Sequence, residues 1–184
     1  MAAVPGDVVG FWRKAGPKKW FAKSDAFDEA IRLRFEPVHH AAARGEYREW
    51  ADIEDGALAL LLLFDQFPRN LYRGSAHAFA TDPLARSVAA LATQRDFHHA
   101  FEPTLRPFFF LPFMHSEAIV DQDRSVALYE AHDAETGDLD SLKYAVMHRQ
   151  IIQRFGRFPH RNAALGRETT AEERTFLAEG GFAG

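Results

Sequence analysis

Two stretches half a chain apart use nearly the same residue types. Residues 64–74 read FDQFPRNLYRG and residues 154–167 read RFGRFPHRNAALGR. Each joins Phe-Pro to cations and an Asn: Asp65, Arg69, Asn70 and Arg73 in the first, Arg157, His160, Arg161 and Asn162 in the second. Guanidinium forks pair with carboxylates and phosphates, and an imidazole takes or gives a proton near neutral pH. The chemistry suggested is recognition of a small anion by Arg69, Arg157 and Arg161, with His160, His115 and Asp65 as acid, base or orienting groups. A third stretch, LPFMHSE at 111–117, supplies His115 and Glu117. Pro112 is expected to end the aromatic run before it, and a helix is expected from about Ser116, where backbone amides favour an anion.

A structural account of the same residues stands beside the chemical one. Proline lacks the backbone donor and disfavours helical geometry in the residue before it, so Phe67-Pro68 and Phe158-Pro159 should each stop an apolar helix. Arg69, Arg73, Arg157 and Arg161 could then meet the open carbonyls, and Asn70 and Asn162 could hold the following turns. Asp65 could pair with Arg69, Arg157 or Arg161 and lock two helix ends together. The cations outnumber what capping needs, with Arg154 and Arg167 also in the second stretch. The two stretches are therefore expected to end helices on one side of the protein and to converge with MHSE on a common pocket.

Other chemistries find little support. The one Glu-x-x-His match, Glu36 to His39, is interrupted by Pro37. The His-His pairs at 39–40 and 98–99 should splay onto different helix faces. No metal and no cofactor is assigned. There is no Cys, no Gly-x-Ser-x-Gly and no Gly-rich phosphate loop. Lys18, Lys19 and Trp20 read as a solvated loop anchored by Trp20 and Phe21 rather than as a nucleic-acid patch.

The elements that must position these groups are helices. Ser24 can cap a helix carrying Phe27, Ile31, Phe35 and Val38, which Pro37 should bend. Glu54 and Asp55 precede ALALLLLFDQ, whose nearly unbroken apolar character predicts burial on several sides. Asp82 is expected to cap a helix with Pro83 at its first position and Leu84, Val88 and Leu91 in one stripe. Asp140 should open SLKYAVMHRQIIQRF, in which Tyr144, His148, Ile151 and Phe155 share a face, so His148 is drawn into the candidate ligand set. Thr170 and Glu173 form a capping-box pair, with Gly180 as the stop. No strand of comparable quality occurs. Antiparallel helical pairs in an all-α protein follow, with residues 1–184 as one domain.

Composition sets the remaining limits. The chain has 184 residues, 47% hydrophobic and 26% charged, with 17 Phe, which fits a folded globular protein. A formal net charge of −4 offers no bulk attraction to nucleic acid or anionic lipid. MAAVPGDVVGFW lacks the pattern of a secretory signal, and the longest apolar run, Ala57 to Phe64, is too short to span a bilayer. The expectation is a cytoplasmic protein without nucleic-acid or membrane partners.

The segments LLLLFDQFPRNLYRG, AFATDPLA, FFFLPFMHSEAIVDQ, MHRQIIQRFGRFPHRNAALGR and TTAEERTFL resemble the bacterial domain-of-unknown-function family numbered 924 over essentially the whole chain. Only the segment around Thr136 to Asp140, short and polar, departs from that pattern. The resemblance implies an all-α fold similar to the tetratricopeptide-like superhelix and implies no activity. Two functions are therefore expected to compete: a pocket for a small anionic metabolite, and a helical module that binds a protein or peptide.

Overall fold

The computed structural model describes residues 3–182, and among these the regular structure is helical throughout, with no strand. The helices are α1 (Pro5–Ala15), α2 (Pro17–Trp20), α3 (Asp25–Ala43), α4 (Glu54–Leu61), α5 (Phe67–Leu71), α6 (Asp82–Gln94), α7 (Leu111–Met114), α8 (Ile119–Thr136), α9 (Leu139–Phe155) and α10 (Ala171–Ala178). The chain forms two compact units, the first comprising residues up to Arg73 with His77–Pro112, the second comprising Gly74–Ala76 with the chain from Phe113.

The first unit is built around α4. Residues Gly56 to Leu61 are all buried, which bears out the helix enclosed on several sides. Gly56 is required there because a Cβ would lie 2.2 Å from the Trp50 carbonyl oxygen. The Ser24 side chain caps α3 by accepting from the Phe27 amide, as its position predicts. Aromatic rings fill the space between helices: Trp12 stacks on Trp20 at 5.9 Å, and Phe35 meets Phe67 at 5.1 Å. Trp20 anchors α2, whereas Phe21, expected to help it, is 70% exposed. On α6 the buried stripe is Ala85, Val88, Ala89 and Ala92, while Leu84 faces solvent. Small residues let α6 approach closely, and the larger Leu is left outside.

Phe67-Pro68 does not stop its helix. The backbone runs from α4 through a π-helical turn, Leu62–Gln66, directly into α5, and Phe67 keeps helical angles of φ −61° and ψ −39°. A π turn shifts the ladder by one residue, so the donor that Pro68 lacks falls at a position already out of register. Side chains take up the carbonyls around this turn. His39 Nδ1 donates to the Leu63 oxygen at 2.8 Å, Thr81 Oγ1 to the Phe64 oxygen at 2.6 Å, and Arg69 Nη1 to the Asp65 oxygen. The expected role of Arg69 at open carbonyls is met, but inside a continuous helix.

In the second unit α8 and α9 pack together across the short link Gly137-Asp138. Asp138, not Asp140, caps α9 by accepting from the Ser141 amide at 3.2 Å. Gly156, at φ 68°, closes α9 by donating to the Ile152 oxygen at 2.8 Å, so the helix has ended before Phe158-Pro159 is reached. Phe158 is extended, and Pro159 opens a 3-10 turn, Pro159–Arg161. The two similar stretches thus do different work, one inside a helix and one after it. Ile151, Ile152 and Phe158 form the core, with Met147, Phe155, Phe176 and Phe182 against it. Tyr144, assigned to the same face, is 56% exposed. The Thr170–Glu173 capping box on α10 is present as predicted.

Candidate functional site

The residues around FPRN are held by carboxylates of the first unit. Asp65 is 1% exposed, with its carboxylate 3.3 Å from Arg69 Nη1 and 2.5 Å from the donating Gln66 side chain. Arg69 also forks onto both oxygens of Asp82 at 3.0 and 3.1 Å. Asp82 therefore serves an ion pair, and Thr81 takes the N-cap position of α6 in its place. Burial opposes the charge on Arg69, but Asp65 and Asp82 outweigh it and raise its pKa. Asn70 and Arg73 converge on Asp28 of α3, Asn70 donating one bond at 2.7 Å and Arg73 two at 2.7 and 3.0 Å. These contacts tie α5 to α3.

The residues around FPHRN are framed in the same manner within the second unit. Glu117 accepts a fork from Arg167 at 2.7 and 3.0 Å and a bond from the Phe158 amide at 2.8 Å. Burial would raise the Glu117 carboxyl, yet Arg167 and that amide hold it below its ordinary value. Arg157 forks onto Glu173 at 2.6 and 2.9 Å, and Asn162 donates to Glu173 at 3.1 Å. Asn162 in turn accepts from Arg167 Nε at 3.0 Å, so one network spans 117 to 173. The Arg157 hydrogen bond, followed by the Thr170 amide, pulls Glu173 down to about 2. Glu173 was legible only as a helix cap, and its second use as counter-charge to Arg157 was missed. Ser116 is not the N-cap of α8, which starts at Ile119, but its hydroxyl accepts from the Ala118 amide at 3.2 Å and donates to Asp121 at 2.6 Å. His115 and Glu117 therefore precede the helix, and Pro112 lies within α7 rather than ending an element.

What the second unit brings together is three imidazoles and one buried cation. His148 on α9 lies 6.4 Å from the ring of His115 and 5.5 Å from Phe158, and Phe182 meets both His148 and His160, at 4.5 and 5.2 Å. Arg161, 6% exposed, lays its guanidinium 4.5 Å over the Phe158 ring. Burial, then the charges of His115 and Arg161, push His148 down to about 4. Burial and Arg161 push His160 to about 3. Both imidazoles are consequently neutral at physiological pH. His148 spends its Nδ1 proton on the Tyr144 oxygen at 2.8 Å, whereas the buried Nδ1 of His160 has no hydrogen-bond partner. The Glu117 carboxylate acts on the same group, its charge opposing the depression of His160 while the Arg161 charge helps to lower Glu117 itself.

Two clefts on the first unit hold none of the candidate residues. One of about 450 Å³ is lined by Asp7, Arg34, Phe35 and Tyr47 among others, and one of about 310 Å³ by Ile53, Glu54, Asp55, Ala100 and Phe101. In each pair of adjacent histidines the first is buried and the second exposed, as residues on different faces should be. Their ring centroids nonetheless lie 5.1 Å apart at 39–40 and 4.1 Å at 98–99, the latter pair on the turn Phe97–Ala100. Glu36 and His39 are committed elsewhere, Glu36 to Arg32 and Tyr72, His39 to the Leu63 carbonyl. No helix among the described residues is long and apolar enough to cross a membrane.

The model of a family described as bacterial protein of unknown function (DUF924) matches residues 8–181. The solved structure of a protein of unknown function, ATU0120 from Agrobacterium tumefaciens, is similar at 51% identity and a TM-score of 0.89, covering 95% of this chain and 97% of that one. No curated protein matches.

Proposed function

The chain belongs to the DUF924 family of bacterial proteins of unknown function, and from this premise we propose that the histidine and arginine cluster of its second unit binds a small anionic metabolite. The observation that carries the reading is Arg161, a buried cation grouped with His148 and His160, two imidazoles kept neutral. A phosphate or carboxylate would pair with the guanidinium, and the buried Nδ1 of His160, which has no hydrogen-bond partner, would give or take its proton. His115 lies beside His148 and would contact the same ligand. Glu117, Arg157 and Asn162 form the frame that fixes the Pro159–Arg161 turn, and Asp65, Arg69, Asn70 and Arg73 form the corresponding frame of the first unit. On this reading the protein acts in the cytoplasm, among phosphorylated and carboxylated metabolites.

The test is a thermal-shift screen with inorganic phosphate, phosphate monoesters and dicarboxylates. A ligand that prefers the native state raises the melting temperature with concentration. The reading expects such a rise, and expects Arg161→Gln to abolish it. If no anion moves the melting temperature, the reading fails and a tetratricopeptide-like module for a protein or peptide partner takes its place.

A further inference from the structure

The first unit carries a second polar constellation that the anion reading does not use. Directly after α6, Asp96 adopts φ 56° and ψ 25°, the only non-glycine residue with positive φ among the described residues. Asp tolerates this left-handed conformation better than most residue types. The turn it makes leads into the 3-10 turn Phe97–Ala100, and the His99 amide donates to the Asp96 oxygen at 3.0 Å. That closure sets the Asp96 carboxylate beside two imidazoles whose rings stand 4.1 Å apart. One donor atom from each of Asp96, His98 and His99 lies within 4.8 Å of the others.

We propose that Asp96, His98 and His99 form a binding site for a divalent first-row transition-metal ion, independent of the anion cluster. Tetrahedral donors about 2.1 Å from a shared ion stand roughly 3.4 Å apart, so small side-chain rotations close the present spacing. Two imidazoles and one carboxylate suit Zn²⁺, Ni²⁺ or Cu²⁺, whereas Mg²⁺ and Ca²⁺ take all-oxygen sets. Water would complete the coordination. His98 is 9% exposed and packs its ring 5.3 Å from Phe110, which restrains one ligand, while Asp96 and His99 face solvent and leave the ion a path in. The neighbouring cation Arg95 is paired with Asp52 at 3.0 Å. Metal binding at this spacing needs neutral imidazoles and an ionised carboxylate, and affinity should therefore fall in acid.

Calorimetric titration of the chelator-stripped full chain with Zn²⁺, with Mg²⁺ as the comparison, tests the site. One equivalent of Zn²⁺ is expected to bind, and Mg²⁺ is not. His99→Ala removes a solvent-facing ligand, and Asp96→Asn removes the carboxylate while keeping a residue that accepts positive φ. Each should weaken Zn²⁺ at least tenfold without lowering the metal-free melting temperature. Wild-type protein that takes up no Zn²⁺, or Zn²⁺ affinity unchanged within twofold in both variants, overturns the proposal. If one variant melts early, the other decides.

Discussion

Arg69 grips both oxygens of Asp82, at 3.0 and 3.1 Å, while the same guanidinium nitrogen stands 3.3 Å from the Asp65 carboxylate four residues earlier. Both carboxylates are nearly buried, so removing the cation leaves charge that water cannot reach. Arg69→Ala is predicted to destabilise the protein by about 3–5 kcal/mol, read from urea unfolding. Asp65→Asn should cost a few kcal/mol by the same logic, at roughly the lower end of that range. Unchanged midpoints in both would remove the structural role assigned to this pair.

The π turn before Pro68 makes a sharper test, because its carbonyls depend on side chains from other helices. Thr81→Val keeps the shape of the side chain and deletes the hydroxyl that reaches the Phe64 oxygen. Leaving that buried acceptor unmet should cost about 1–3 kcal/mol. A loss well below that range would mean the turn is held by packing alone.

Acid should destabilise the fold in two overlapping windows. His148 and His160 are depressed from 6.5 to about 4 and about 3, so the native state binds fewer protons than the unfolded chain below pH 6.5. Their contribution is fully present above that pH and is lost as pH falls through the window. Glu173, lowered from 4.5 to about 2, adds a loss below 4.5. His148→Gln should therefore reduce the slope of stability against pH between 6.5 and 4 by up to ~1.4 kcal/mol per unit, one proton's worth. Equal slopes in the two proteins would contradict a neutral buried His148.

We propose that the chain, expected from its sequence to be one domain over residues 1–184, unfolds as one cooperative unit. Calorimetry should then give one transition with matching calorimetric and van't Hoff enthalpies. Leu60→Ala, at a position 3% exposed, should shift that whole transition and cost about 2–5 kcal/mol. Two resolved transitions, only one of them moved by the substitution, would replace the single domain with two.

What the sequence makes legible is what local chemistry decides. Ser24 before Phe27, and Thr170 before Glu173, are caps because the donor and acceptor lie within one turn of each other. Pro68 was misleading because its tolerance rests on a π turn whose carbonyls are met by His39 and Thr81, 24 and 17 residues away from the carbonyls they reach. At the second stretch Gly156 competes with Pro159 as a stop and wins by lying first on the chain. The Arg residues were recognisable as a cluster, but their carboxylate partners Asp28, Asp82 and Glu173 sit in other elements, and no spacing rule connects them. The 4.1 Å approach of the His98 and His99 rings has no sequence signal, because adjacency alone places the two on different faces.

The central claim is that the His148, His160 and Arg161 cluster receives an anion. The most direct measurement is a ¹⁵N–¹H correlation of the imidazole nitrogens during titration with inorganic phosphate at neutral pH. The account predicts neutral tautomers for His148 and His160 before addition, then saturable shifts of both that disappear in Arg161→Gln while the resonances of exposed His99 stay in place. Imidazolium signals at the start, or shifts that fail to saturate and survive the substitution, would contradict it.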